Sequence, residues 1–266
     1  MNHITIAGGG LAGLSLGIAL RNFGVPVTLH EAGRYPRHRV CGEFINGVTE
    51  ATLARLGVDG MLHDARQHRT TRWSIHEKTI FEATLPEPAT GISRHVLDLR
   101  LANEFERLGG QLHLKSRLSR KGRDGLVWAA GRMAAPESRW LGLKVHVEDL
   151  EMAADLEMHA GISAYVGLAP VENGRVNVCG LFRRQSGVKK KGVELLFHYL
   201  ETSGLEEVAS RLRAARRDDG SFSGVSALRL GRQGSEEGLC VLGDAESMIP
   251  PFTGNGMSMA FESADV

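Results

Sequence analysis

A glycine-rich turn near the amino terminus constrains this chain more than any other feature. Gly8-Gly9-Gly10-Leu11-Ala12-Gly13 follows a short apolar run, His3 to Ala7, that reads as a buried strand. Behind the turn, Leu11, Ala12, Leu14, Ser15, Ile18 and Ala19 recur with helical spacing. A helix is predicted over Leu11 to Asn22, stopped at Phe23-Gly24. Val25 to His30 reads as a second strand, with Glu31 at its end. Strand, G-x-G-x-x-G turn, helix and second strand make a βαβ unit that binds a dinucleotide.

Each position has a physical reason. Gly8 permits the tight turn off the strand, Gly10 lets a pyrophosphate approach the backbone, and Gly13 lets the helix pack close to the strand. Phosphate oxygens then meet the free N–H groups and the positive dipole end of the helix. Glu31, about 20 residues beyond the turn, is placed to accept hydrogen bonds from both hydroxyls of an adenosine ribose. It would repel a 2′-phosphate, so NADP is unsuited to this first site. The unit alone does not separate NAD from FAD.

The carboxy-terminal part carries a second pattern. Leu239 to Leu242 reads as a strand ending at Gly243-Asp244, and a loop then leads through Pro250-Pro251-Phe252-Thr253-Gly254-Asn255-Gly256-Met257 into a helix. An Asp at the end of a strand is placed to bind hydroxyls of a ligand lying across the sheet. Gly254 and Gly256 let backbone N–H groups approach a planar, electron-rich ring.

Two further segments complete a resemblance. Pro36-Arg37-His38-Arg39-Val40-Cys41-Gly42 has the form P-R-x-K/R-x-C-G, and Arg94-His95-Val96-Leu97-Asp98-Leu99-Arg100-Leu101 has the form R-x-x-L-D-x-x-L. With G-x-G-x-x-G before them and G-D-A…P-x-x-G-x-G behind, the chain resembles the FAD-dependent oxidoreductases of the p-hydroxybenzoate hydroxylase fold. It is most similar to their geranylgeranyl reductase-like branch, which neighbours the aromatic-ring monooxygenases and the flavin-dependent halogenases. The resemblance implies an α/β fold: a Rossmann-like FAD-binding domain with a parallel sheet, and a mostly antiparallel substrate sheet. It implies FAD contacts from Gly8, Gly10, Ala12 and Gly13 at the pyrophosphate, Glu31 at the ribose, and Arg39, Cys41 and Gly42 beside the cofactor. Arg94 would lie along the phosphate or ribityl chain, Asp244 on the ribityl, and Gly254, Gly256 and Met257 at the pyrimidine edge. Cys41 is read first as a small buried residue that packs against the flavin; the alternative is a reacting centre, because Arg37 and Arg39 precede it and two nearby cations favour a thiolate.

The middle of the chain divides accordingly. Residues 1–66, 94–134 and 237–266 are expected to form the FAD-binding domain, and 67–93 with 135–236 the substrate domain. Arg94 to Leu108 is an amphipathic helix, and Gln111 to Leu114 a strand that extends the nucleotide sheet. Thr70 to Leu85 and Gly142 to Phe182 alternate as strands, and Gly192 to Arg213 reads as one helix. Two departures from the family pattern stand out. Ala129-Ala130-Gly131-Arg132 replaces A-D-G, which weakens the case for direct use of NAD(P)H as electron donor. Gly167 replaces the Trp of G-Y-x-W-x-F-P. The helical part that follows the flavin loop in the family is expected to be absent.

The remaining composition excludes more than it suggests. The formal net charge of +1 argues against nucleic acid or an anionic membrane as the main partner. The three cysteines are far apart and odd in number, so neither a disulfide framework nor a metal site is indicated, and the reduced cytoplasm fits best. No signal peptide or membrane span is read; a peripheral membrane contact and the oligomeric state stay open. The expected function is an FAD-dependent oxidoreductase on a small apolar organic substrate, either a monooxygenase on an aromatic or polyketide ring or a reductase of an isoprenoid double bond. The alternative is a non-catalytic or truncated FAD-binding protein.

Overall fold

The structure, a computed structural model, describes residues 2–234 and 236–265. In chain order the first half runs β1 (Ile4–Ala7), α1 (Leu11–Asn22), β2 (Val27–Glu31), β3 (Phe44–Ile45), α2 (Glu50–Leu56), β4 (Arg66–Ile75), β5 (Lys78–Gly91), α3 (Arg94–Arg107), β6 (Gln111–Leu114) and β7 (Leu126–Trp128). The second half runs β8 (Trp140–Glu148), β9 (Leu156–Gly161), β10 (Ala164–Pro170), β11 (Val176–Arg183), α4 (Val193–Thr202), α5 (Glu206–Ala214), β12 (Arg216–Val225), β13 (Gly231–Arg232), β14 (Cys240–Val241), β15 (Ser247–Met248) and α6 (Gly256–Glu262).

The first sheet is parallel and five-stranded, in the order β14-β7-β1-β2-β6. It contains the βαβ unit read from the sequence: Ile4 to Ala7 pair with Val27 to His30. Leu14 and Ile18 of α1 pack with Ile6 and Leu29 of the sheet and with Leu97, Leu101 and Phe105 of α3. Phe105 explains a glycine inside α1, because a Cβ on Gly17 would lie 2.9 Å from its ring. The helices meet there across bare backbone.

The second sheet has eight strands, in the order β12-β8-β11-β10-β9-β4-β5-β3, and is antiparallel except between β4 and β9. Period-two alternation gives it two faces. Val145, Val147, Val166, Val178 and Phe182 pack against Leu196, Phe197, Leu200 and Leu212 of α4 and α5. The other face turns toward the first sheet. β13 and β15 form a small separate ribbon.

The structure corrects two expectations. Gly192 to Arg213 is two helices, because Gly204 takes a left-handed backbone (φ 71°) just past the Ser203 cap of α4. Leu205 then drops into the core and α5 restarts. Phe44-Ile45, expected within the nucleotide-binding segment, pairs with Gly91 and Thr90 of β5 at the edge of the second sheet. Phe44 stacks on His68 of β4 with ring centroids 5.4 Å apart, while Ile45 stays in the core of the first sheet.

The layers are joined by a buried carboxylate. Ser93 caps α3 by accepting from Val96 N–H, and its own N–H and hydroxyl donate to Glu172 at 2.8 and 2.6 Å. Ser93→Ala removes the cap and one donor to a buried charge. It is expected to lower the unfolding free energy by about 1–3 kcal/mol in urea titration. A loss below about 0.5 kcal/mol would show that the cap contributes little.

Candidate functional site

A cavity of about 1160 Å³ opens at the carboxyl edge of the parallel sheet. Ligand pockets commonly span roughly 300–1,000 Å³, so this one has room for a large ligand and more. It reaches from the amino end of α1 and the end of β2 to the inward face of the second sheet. All the residues proposed from the sequence line it except Gly13, which sits in the first turn of α1 against Gly8.

At the α1 end the glycines divide into two kinds. A Cβ on Gly8 (φ 109°) would lie 2.2 Å from Ala129 O, and one on Gly13 would lie 2.0 Å from Gly8 O. Those two serve close packing. A Cβ on Gly10 would meet nothing within 4 Å, so Gly10 is bare toward the cavity. α1 has no side-chain cap and no acid in its first turn. Its first N–H groups therefore face the cavity without helical partners.

Glu31 is buried at the end of β2, and its carboxylate is already oriented. Oε2 accepts from Gly9 N–H at 2.9 Å, and Oε1 accepts from Gly33 N–H at 2.6 Å and pairs with Arg37 at 3.0 Å. The sequence alone left this carboxylate free. A carboxylate offers about four lone-pair sites, so acceptor capacity remains for a ligand hydroxyl.

Arg94 does not stand alone at the wall. Its Nε and Nη2 donate to the two oxygens of Asp98 at 2.6 and 3.0 Å, and Arg39 Nε donates to Asp98 Oδ2 at 2.8 Å. Asp98 is fully buried. Two guanidiniums thus share one carboxylate and leave net positive charge at the cavity, with Arg39 Nη2 buried without a hydrogen-bond partner, 3.9 Å from Glu31 Oε2. Asp98 carries no site role in the sequence motif it belongs to. Its signal was the i, i+4 spacing from Arg94 on a helix.

Asp244 lies in a turn after β14, open to the cavity but ringed by protein. Burial pushes its carboxyl up, and Arg94 and Arg132 oppose that. The Gly254–Met257 loop is pinned from below: Asn255 Nδ2 and Ser258 Oγ donate to Asn46 O at 3.2 and 2.6 Å. Phe252 reaches the second sheet, with its ring edge-on to Trp73 at 5.1 Å and to Tyr165 at 5.7 Å. Gly167 pairs with Met158 and Cys179 on the flanking strands, and a Cβ there would lie 3.1 Å from Met158 Sδ. Bare glycines, unpaired N–H groups, net positive charge and two carboxylates fit a dinucleotide with a planar ring. Among the described residues no His, Cys, Asp and Glu group could hold a metal ion, and no helix is long and apolar enough to cross a membrane.

No protein-family model matches the chain, and no curated protein matches it. Solved structures match its fold. A flavin-dependent brominase superposes with a TM-score of 0.79 at 16% identity, over 99% of this chain and 77% of that one. A variant of 2-methyl-3-hydroxypyridine-5-carboxylic acid oxygenase gives 0.68 at 20% identity, over 100% and 81%. Klebsiella pneumoniae HpxO complexed with FAD gives 0.75 at 17% identity, over 100% and 80%. The chain has the α/β fold of these proteins, which is the p-hydroxybenzoate hydroxylase fold that its motifs implied.

The surroundings of Cys41 argue against its thiolate alternative. Arg37 turns to Glu31 and Arg39 to Asp98. Arg94 is the cation that reaches the thiol, but burial outweighs it and pushes the Cys41 thiol up. Burial raises Cys179 on β11 in the same way. Both stay protonated at neutral pH, because a raised group ionises only at higher pH. Iodoacetamide near neutral pH is therefore expected to label exposed Cys240 first, and Cys41 and Cys179 slowly. Peptide mass spectrometry reads the order, and rapid labelling of Cys41 would restore the thiolate reading.

Proposed function

We propose that this chain is an FAD-dependent oxidoreductase of the monooxygenase type, acting on a flat apolar substrate. The supporting observation is that one continuous cavity is lined both by the α1 glycines and Glu31 and by Trp73, Met158, Tyr165 and Phe252. A dinucleotide laid along the first set brings a ring to the second. Bound FAD would supply the electron transfer. The chain's own residues bind and orient it. The N–H groups of α1 with Arg39 and Arg94 take the phosphates, Glu31 and Asp244 the hydroxyls, and Gly42 and Gly254–Met257 the ring.

The aromatic chamber takes the substrate. Burial raises the Tyr165 phenol, so its hydroxyl stays neutral and able to donate to a substrate oxygen. NAD(P)H is the proposed electron donor. The Ala129-Ala130-Gly131-Arg132 segment makes a separate reductase the competing source, because Arg132 is spent on the carbonyls of Ala227 and Ser226.

FAD is expected to bind far more tightly than FMN, which lacks the adenosine half that Glu31 and the glycine turn would recognise. Equal affinity in a fluorescence titration would contradict the orientation. Glu31→Gln should weaken FAD binding by about 1–3 kcal/mol, the scale of a charged hydrogen bond, and unchanged affinity would take Glu31 off the ribose. Oxygen uptake that depends on an aromatic substrate and NAD(P)H separates a monooxygenase from a double-bond reductase, which consumes none. Flavin that is reduced without any turnover would leave only a binding protein.

A further inference from the structure

Behind the cavity wall lies a buried charge cluster that the cofactor contacts do not use. Glu43 directly follows Cys41-Gly42, and its side chain is fully buried. Its Oε1 accepts from Lys144 Nζ at 3.1 Å and from the Arg94 backbone N–H at 2.9 Å. Its Oε2 lies 2.6 Å from His146 Nε2. Lys144 and His146 are fully buried as well, at alternate positions of β8. Lys144 Nζ also sits 3.2 Å from His38 Nδ1, and His38 stacks on His95 with centroids 4.4 Å apart. Burial and the charge of Lys144 push His38 down to about 4, so it is neutral near pH 7 and accepts from Lys144. On the neighbouring strand β11, Asn177 Nδ2 donates to Cys41 O at 2.9 Å and Gly42 O at 2.8 Å.

Stability does not explain this arrangement. Desolvating two charges is often not offset by their attraction, and well-packed apolar residues commonly do as well or better. Glu43 also takes a left-handed backbone (φ 55°), which side chains seldom adopt. Placement does explain it. His38, Cys41 and Gly42 line the cavity, while Glu43, Lys144 and Asn177 stand behind them. Asn177 holds both carbonyls of the Cys41-Gly42 turn toward the second sheet. A Cβ on Gly42 would meet nothing within 4 Å, so the bare side of the turn is what a ligand meets.

Resting on the FAD reading above, we propose that the Glu43–Lys144 pair positions the Cys41-Gly42 turn against the flavin ring and tunes the ring's electron affinity through its two opposed charges. Both are positioning residues that act through the turn and through space. Charges in a low-dielectric interior act strongly over short distances. Without the carboxylate, Lys144 stands uncompensated and favours the electron-rich reduced ring. Without the ammonium, Glu43 keeps only His146 and the Arg94 N–H as partners, and its negative charge disfavours that ring.

The test is spectroelectrochemistry of the FAD-loaded protein at fixed pH, with FAD affinity measured alongside. Glu43→Gln is expected to shift the reduction potential to more positive values and Lys144→Met to more negative ones. The double variant, which carries neither charge, is expected to return close to the unsubstituted protein. Either single variant compared with the double gives the same test of sign, so one misfolded single leaves the result decided. Shifts in the same direction, or none in variants that bind FAD normally, overturn the inference while the cofactor reading stands. If the unsubstituted protein takes up no FAD, both fall.

Discussion

The approach of α1 to β1 leaves no space for side chains: a Cβ on Gly13 would lie 2.0 Å from Gly8 O, and one on Gly8 2.2 Å from Ala129 O. The helix therefore starts directly over the strand ends, with its uncapped amino terminus at the carboxyl edge of the sheet. That edge is where open α/β sheets bind ligands. β2 delivers Glu31 to one side of it, and β7 delivers Trp128 to the other. α6 packs on the same helix through buried Met257 and Phe261, which brings the far end of the chain to the first turn. A larger residue at Gly8 or Gly13 would disturb all of these together.

Buried acids do the rest of the joining. Glu31, Glu43, Asp98 and Glu172 are all buried, and each meets donors from a separate segment. A buried carboxylate must be hydrogen-bonded, so each one fixes the backbone that supplies its donors. Glu31 orients Gly33 and Arg37, Asp98 holds Arg39, Glu43 ties its turn to β8, and Glu172 anchors the start of α3. The irregular stretch between β2 and α2 is thereby shaped into a wall of the cavity with little regular structure of its own.

This division explains what the sequence revealed. β1, α1, β2 and α3 were legible because their signals are local: a glycine turn, a helical stripe, a terminal acid. The G-D-A and P-x-x-G-x-G segments were legible through resemblance, since a proline-glycine loop has no periodicity to read. Lys144 and His146 were not legible. In Leu143-Lys144-Val145-His146-Val147 they occupy the polar phase of an alternating strand, which ordinarily faces water. Here that phase faces Glu43, 101 residues from Lys144 in sequence. Asp98 was hidden in the same way, as an acid on a helix that proves to bridge two arginines. The helix break at Gly204 was missed because the apolar stripe continues on both sides of it.

The central claim is that one FAD spans the cavity from α1 to the Gly254–Met257 loop. A crystal structure of the FAD complex tests it most directly. The account predicts the adenosine ribose on Glu31, the pyrophosphate at the amino end of α1, and the ring between Cys41-Gly42 and the Gly254–Met257 loop, facing Trp73, Tyr165 and Phe252. Density for the ring outside that chamber, or for the adenosine away from Glu31, would contradict it.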